Sequence, residues 1–413
     1  MIATPIDLKS SVIFQRDLFL NEKLLFILLV IAAPIQETAS ISYEVFLGIK
    51  FAISLLFIGV FAISDYKLLF KIENDTIEIK LFYLILAVLI STITSFNVST
   101  SIPHLFRLIF ILFLFRSLRL FFGEKKNIEL FFQGVIIIGL FVGVMGLLEQ
   151  GNVLVRSRSL FANANSLGQF SSIILLVIIF KLLFSEKNKN YFVVISVITV
   201  TVLLATMIFS FSRSSWVLFF IGTVILFSYK FGKKIIPYWF LAIIFSTIIY
   251  FTFQEEVNLL LRIDRLITFR DEIWDIAFRV FKDNFIFGVG PGNLPSQIGY
   301  YFTAPPSIIR TIVYTINFSA HNDFLQILSE IGIVGFLFYL LFLSSVAKKL
   351  FTEISKNKND NSISKNSILA FSIFVGFMFA SFFETSFLFG SFSIAIYFWI
   401  TVAMTFPLVE EKP

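Results

Sequence analysis

The sequence predicts an all-α polytopic membrane protein with about twelve transmembrane helices and one large extracytoplasmic loop containing short amphipathic helices. Three observations carry this. Of the 413 residues, 57% are hydrophobic and only 15% are charged, whereas a soluble domain carries about 25% charged residues. The apolar residues gather into runs close to the ~20 residues that span a bilayer core as a helix. Finally, lysine is distributed unevenly between alternate loops, as the positive-inside rule requires. Mean hydropathy is +0.90.

The apolar runs fall at 18–35, 44–63, 79–96, 104–122, 129–148, 167–185, 191–210, 214–230, 236–253, 323–346, 367–386 and 388–407. No secretory cleavage site follows the first, so it is expected to be retained. With a cytoplasmic N-terminus, the inner loops are 64–78, 117–128, 186–190, 231–235 and 347–366. They hold lysines such as Lys67, Lys71, Lys125, Lys126, Lys187, Lys233, Lys348 and Lys358, whereas Lys282 is the one clear loop lysine outside. Both termini are therefore expected in the cytoplasm. The chain divides into helices at 1–253, a large outer loop at 254–322, and helices plus a cytoplasmic tail at 323–413.

Cysteine is absent, which excludes disulfides, thiolate metal sites and cysteine nucleophiles. The 57 phenylalanines read as compositional bias, shared with Ile, Lys and Asn, rather than as a stacking surface for substrate. Arginine is partitioned differently from lysine. Eight of the twelve arginines map outside: Arg156, Arg158, Arg213, Arg262, Arg265, Arg270, Arg279 and Arg310. A guanidinium presents a planar fork that grips phosphate or carboxylate in bidentate fashion. Several of these are expected to face an anionic ligand; the alternative is pairing with loop acids such as Asp264, Asp271 and Asp275. Arginines held near the membrane edge are functional candidates by default. Both histidines, His104 and His321, also map outside. His104 follows Pro103 at an outer helix start, a position that suits a merely interfacial residue.

Within the outer loop, "TFRDEIWDIAFRVFKDNF" has a helical period, with Ile273, Ala277, Phe278 and Phe281 on its apolar side. Thr268 and Asp271 have capping-box spacing, which puts Arg270 in the first turn, where the helix dipole disfavours a cation. Stacking on Trp274 is the alternative to a ligand there. "FGVGPGN" follows. Gly288, Gly290, Gly292 and Pro291 cannot continue a helix, and Asn293 stands where a dinucleotide fingerprint would need its third glycine. A fixed turn near the membrane surface is expected. If a straight helix runs on from His321, Gly332 lies about 20° and Gly335 about 40° around it on the same face. The glycines would then admit a neighbouring helix and the imidazole would point into the bundle; the alternative is a histidine that caps and anchors at the interface. Glu330 falls on the opposite face.

Four segments together resemble the O-antigen ligase and polymerase superfamily of bacterial envelope glycosyltransferases. "RSRSLFANANSLG" matches its Arg…Phe-x-Asn-x-Asn element through Arg156, Phe161, Asn163 and Asn165, departing at Ser159 and Ala164, where glycine and proline are usual. "SRSS" matches a Ser-Arg element at Ser212 and Arg213. "RDEIWDIAFRVFKDNFIFGVGPGN" matches an Arg…Trp…Gly-x-Gly-x-Gly element at Arg270, Trp274, Gly288, Gly290 and Gly292. "HNDFLQILSEIGIVG" matches His-Asn, nine residues, Gly, two residues, Gly, ending at Gly332 and Gly335. The elements occur in order between about 150 and 340 and map to one membrane face.

The resemblance implies a membrane glycosyltransferase whose donor is a glycan on undecaprenyl diphosphate, presented at the outer leaflet of the bacterial inner membrane. The leaving group is a lipid diphosphate, so positive charge must stabilise it as the C1–O bond breaks; Arg156, Arg213 and Arg270 are the candidates. With no Asp-x-Asp motif, neither a metal nor any other cofactor is expected. The acceptor is a sugar hydroxyl, and a neutral imidazole takes its proton during attack, making His321 the candidate base. Direct displacement would invert the anomeric centre. Asn163, Asn165 and Asn322 are candidates to position sugars or the imidazole. A ligase would use lipid A-core or a similar acceptor; a polymerase of O-antigen or exopolysaccharide units would use a second lipid-linked glycan. A transporter or flippase for an anionic lipid is the other class, but it needs polar groups along a path near the midplane. Here they gather at one face, apart from Arg107 and Lys181. Partners are thus lipid-linked glycans and membrane lipid, with no nucleic acid.

Overall fold

A computed structural model describes residues 22–36, 43–71, 75–149, 156–185, 190–254, 270–301, 319–356, 362–385 and 392–408. Among them all regular structure is helical. The helices are α1 (22–32), α2 (Tyr43–Ser64), the short α3 (Tyr66–Phe70), α4 (Thr76–Ile93), α5 (Val98–Phe121), α6 (Lys125–Glu149), α7 (Ala164–Phe184), α8 (Asn190–Phe209), α9 (Arg213–Phe231), α10 (Ile236–Thr252), α11 (Arg270–Asp283), α12 (Leu294–Tyr301), α13 (Asp323–Lys356), α14 (Ser362–Ala380) and α15 (Phe392–Thr405). Every apolar run read from the sequence holds a helix. Eight helical stretches are long and apolar enough to cross a membrane; one, Arg213–Thr252, contains both α9 and α10, and α14 and α15 are shorter apolar helices.

The bundle is built around α7. Leu167, Phe170, Ile173, Ile174, Leu176 and Val177 bury every side of it, as expected of a helix that is apolar all round. α6, α8, α9, α14 and α15 pack against it. Helices consecutive in the chain from α4 to α9 alternate in direction, and each end of the bundle carries polar groups. At one end, Arg119 of α5 bonds Asp75 at 3.0 Å and Glu78 of α4, Arg116 bonds Glu78 at 3.2 Å, and Lys349 of α13 bonds Asp75 at 2.5 Å. The opposite end gathers the start of α5, α7, α9 and α13 with the ends of α4, α8 and α14.

Helix α13 is not continuous. Gly332 has φ 64° and ψ −170°, which breaks the helix within its first third. A break in a helix leaves backbone N–H and C=O groups without intrahelical partners. The glycine-rich segment after α11 bonds four of them. Ile333 and Val334 donate their N–H groups to Phe285 O (2.9 Å) and Ile286 O (3.3 Å), while Val289 and Gly290 donate to Ser329 O (3.1 Å) and Glu330 O (2.8 Å). Neither side tolerates a Cβ. One at Gly332 would lie 2.4 Å from Ile286 O, and one at Gly288 would lie 2.4 Å from Glu330 O, with φ +70° at Gly288.

The straight-helix expectation is therefore corrected. The helix begins at Asp323, Gly332 faces the backbone of a turn rather than a second helix, and the three atoms nearest a Cβ at Gly335 all belong to Ile331 of its own helix. The turn is fixed in its own right, with Gly288, Gly290 and Gly292 all at positive φ. It is tied to the α4–α5 junction through Phe96 N to Val289 O (2.9 Å) and Ser101 Oγ to Pro291 O (2.9 Å). Glu330 points away from His321, accepting from Leu294 N at 3.4 Å and Gln326 Nε2 at 2.5 Å.

The periodicity of the loop helix α11 is also adjusted. Ile273, Ile276, Ala277, Val280 and Phe281 are buried, while Phe278 is 43% exposed. The 3.6-residue turn carries the buried stripe through 276–277 and 280–281, leaving Phe278 off its edge. Ile273, Ile276, Ala277 and Val280 form a small core with Val289, Leu294 and Ala320, so α11 clamps the residue that precedes His321.

Replacing Gly332 or Gly288 with alanine should lower the thermal unfolding midpoint of the purified protein, each site losing at least about 1–3 kcal/mol from backbone strain alone. Gly48, around which nothing lies within 4 Å, is the control and should tolerate alanine. Equal midpoints for Gly332→Ala and Gly48→Ala would show that the break is not required.

Candidate active site

The segments that stood out in the sequence converge at one end of the bundle. Asn163 caps α7, its side chain accepting from Ser166 N at 2.8 Å. That places Asn165 in the first turn. Arg156 lies beside it, donating from Nε to Ser210 O at 2.9 Å and from Nη2 to Asn165 Oδ1 at 2.5 Å. Ser157 N donates to Phe209 O at 3.1 Å. These two bonds lay the Arg156 segment along the α8–α9 turn that presents Arg213, the first residue of α9.

Asn165 turns its amide nitrogen to Glu384 Oε2 at 2.5 Å. The other carboxylate oxygen, Oε1, lies 2.9 Å from His321 Nδ1. A continuous chain thus runs from Ser210 through Arg156, Asn165 and Glu384 to the imidazole. Glu384 had no place in the sequence reading. Its signal was that of a lone acid at the end of an apolar run, a kind of residue that is functional by default. It is held by the turn after α14, where Ser381 accepts from Asp323 N (2.9 Å) and donates Oγ to Asp323 Oδ2 (2.8 Å). The start of α13 and the end of α14 are thereby locked together.

His321 is fixed from both sides. After it, Asn322 caps α13, accepting from Phe324 N at 3.0 Å and Leu325 N at 3.1 Å. Before it, Trp274 Nε1 of α11 donates to Ala320 O at 2.9 Å. Its backbone is left-handed, with φ 47°. The other two non-glycine residues at positive φ among those described are Ser159 (53°) and Phe211 (50°), in the loops carrying Arg156 and Arg213. Strained backbone of this sort persists only where its surroundings over-determine it. At Ser159 the partners are clear. Glu149 Oε2 accepts from Arg158 N at 2.7 Å and Ser159 N at 2.5 Å, and Gln36 pins the next residues by bonding Leu160 O and Ala162 N.

Arg156, Asn165 and His321 are therefore brought together through Glu384, and Asn163 and Asn322 spend their side-chain oxygens on helix caps. Arg270 opens α11, one turn before Trp274. Arg279 pairs with Asp275 at 2.7 Å on the same helix, and Lys181 pairs with Glu129 at 2.5 Å, so neither contributes to the cluster. The half-buried His104 abuts the turn at Gly292, where a Cβ would meet its Nε2 at 2.5 Å. Thr268, Arg262, Arg265, Arg310 and Asp264 lie outside the described residues.

The architecture is that of a multi-pass helical membrane protein with a polar cluster of arginine, asparagine, carboxylate and imidazole at one end of its bundle. Residues 198–340 match the family model described as O-Antigen ligase. That match supports a place for the chain in the O-antigen ligase and polymerase superfamily, and the family implies a membrane glycosyltransferase-like enzyme acting on lipid-linked glycans. The matched stretch contains Arg213, Arg270, the three-glycine turn, the His321–Asn322 pair and the break at Gly332; the Arg156–Asn165 segment precedes it. No curated protein matches the chain.

Trp274→Phe keeps the ring and removes the bond to Ala320. It should cost about 1 kcal/mol of stability and free the segment ahead of His321 to exchange its amide protons faster. Unchanged amide exchange at Ala320 and His321 would show that α11 does not hold them.

Proposed function

We propose that the protein is an O-antigen ligase-type glycosyltransferase. It transfers a glycan from undecaprenyl diphosphate to an acceptor hydroxyl, on lipid A-core or a similar acceptor, at the periplasmic face of the bacterial inner membrane. In this scheme twelve helices cross the bilayer, both termini are cytoplasmic, and residues 254–322 form the periplasmic loop between helices at 1–253 and 323–413. The observation that carries the proposal is the position of His321. Its imidazole is 2.9 Å from Glu384 and linked through Asn165 to Arg156, at the bundle end where Arg213 also sits.

The chemistry follows from these groups. His321 accepts the proton of the acceptor hydroxyl as its oxygen attacks C1 of the donor sugar. The C1–O bond breaks, undecaprenyl diphosphate leaves with the bonding pair, and the anomeric centre inverts. Arg156, Arg213 and Arg270 supply the positive charge that meets the growing charge on the diphosphate, the role a divalent ion plays in other transferases. Asn165 holds the carboxylate against the imidazole, and Asn163 and Asn322 fix the helix starts from which the site projects.

Purified protein given undecaprenyl-diphosphate oligosaccharide and lipid A-core should yield glycan on lipid A-core, unaffected by chelator. His321→Ala should lose about 10²–10⁴-fold of that rate while still binding donor. Full activity in the variant would remove His321 from the base role. Laddering on a second lipid-linked glycan instead would make the enzyme a polymerase. Movement of donor across liposomes without any transfer product would replace the enzyme with a transporter.

A further inference from the structure

The polar chain leading to His321 has a direction, and it is set by Arg156. A guanidinium only donates, so Asn165 must turn its carbonyl oxygen to Arg156, as it does at 2.5 Å. The asparagine then has only its NH₂ group left to offer, and this donates to Glu384 Oε2. As a carboxylate, Glu384 only accepts. Its second oxygen, 2.9 Å from His321 Nδ1, therefore requires a hydrogen on Nδ1. We infer that Glu384 is a positioning residue that, with its polarity dictated by Arg156 and Asn165, holds neutral His321 as the Nδ1–H tautomer and leaves Nε2 bare to take the acceptor's proton. This role rests on the reading of His321 as the acceptor base.

The burial of the chain makes the rule strict. Glu384 and His321 keep only 14% and 24% of their side-chain surface, so water has little room to substitute for a missing partner. Asn165 and Arg156 are likewise partly enclosed. The turn that carries Glu384 is anchored by two hydrogen bonds between Ser381 and Asp323.

The rule predicts both a failure and its repair. In Glu384→Gln the new side chain has one acceptor and one NH₂ donor. Asn165, still oriented by Arg156, takes the acceptor. The glutamine NH₂ then faces Nδ1 and can be met only by a lone pair there, which moves the imidazole hydrogen to Nε2 and abolishes the base. Adding Asn165→Asp reverses this. The aspartate accepts from both Arg156 and the glutamine NH₂, the glutamine oxygen turns to His321, and Nδ1–H returns. The double variant keeps the formal charge of the natural chain.

The chain has only two histidines, His104 and His321, so ¹⁵N-histidine labelling of the full protein in nanodiscs yields four ring nitrogens, and His321→Gln identifies which two belong to His321. Spectra would be recorded at a pH where both rings are neutral. The expected result is hydrogen on Nδ1 in the natural protein, on Nε2 in Glu384→Gln, and on Nδ1 again in Asn165→Asp/Glu384→Gln. Transfer should fall roughly 10³–10⁴-fold in the single variant, the scale of a wrong-tautomer defect in a hydrolytic triad, and recover at least about tenfold in the double variant. Hydrogen on Nε2 in the natural protein overturns the inference, whatever the variants do. So does a tautomer that Glu384→Gln leaves unmoved. The tautomer is read without turnover, so absence of transfer activity would count against the proposed function alone.

Discussion

The break in α13 at Gly332 is the constraint on which the rest of the site depends. A helix broken in this way must find new partners for the backbone N–H and C=O groups it frees, and here one short segment, 285–290, bonds two of each. That segment cannot be placed independently. It is the continuation of α11, and it is tied to the α4–α5 junction by Phe96 and Ser101. Satisfying the broken helix therefore fixes α11, and α11 fixes the carbonyl before His321 through Trp274. Backbone accounting at one glycine thus reaches the imidazole eleven residues away.

The two ends of the bundle use charge differently. At the end carrying Arg119, cations and acids meet directly: Arg116 and Arg119 on Glu78, Arg119 and Lys349 on Asp75. Charges so closely neutralised have little left for a ligand, and the network joins α4, α5 and α13 instead. At the other end a neutral amide, that of Asn165, stands between Arg156 and Glu384. Interposing Asn165 keeps the arginine's charge distinct from the acid's. It also converts an ion pair into a relay whose hydrogen-bond direction matters.

Much of this was legible in the sequence, for physical reasons. Lipid demands long apolar runs, so each helix of the bundle announces itself. The arginine, asparagine and histidine segments were visible because polar residues are conspicuous beside apolar runs. What was hidden depends on contacts far apart in the chain. Glu384 is 63 residues from His321, and a lone acid at a helix end has no pattern to mark it. The break at Gly332 was invisible because the apolar run continues through it, and a glycine in such a run reads equally well as a packing position. Phe278 misled because its neighbours at 277 and 281 are buried and it differs from them by one step of the helical period.

Strain ties these observations together. Ser159, Phe211 and His321 adopt left-handed backbone without being glycine, and they lie in the loops that carry Arg156, Arg213 and the imidazole. Ser159 stands where glycine is usual in the superfamily that the chain resembles, so a serine there must be held by something. Glu149 does this by accepting two successive N–H groups, an arrangement that orients the loop as well as satisfying it. His321 is gripped in the same manner, between a capped helix on one side and the Trp274 bond on the other. Electrostatic stabilisation of a transition state is effective to the extent that the groups are already in place before the reaction. Under the proposed function, loops strained and anchored in this way hold the reacting groups in place before transfer.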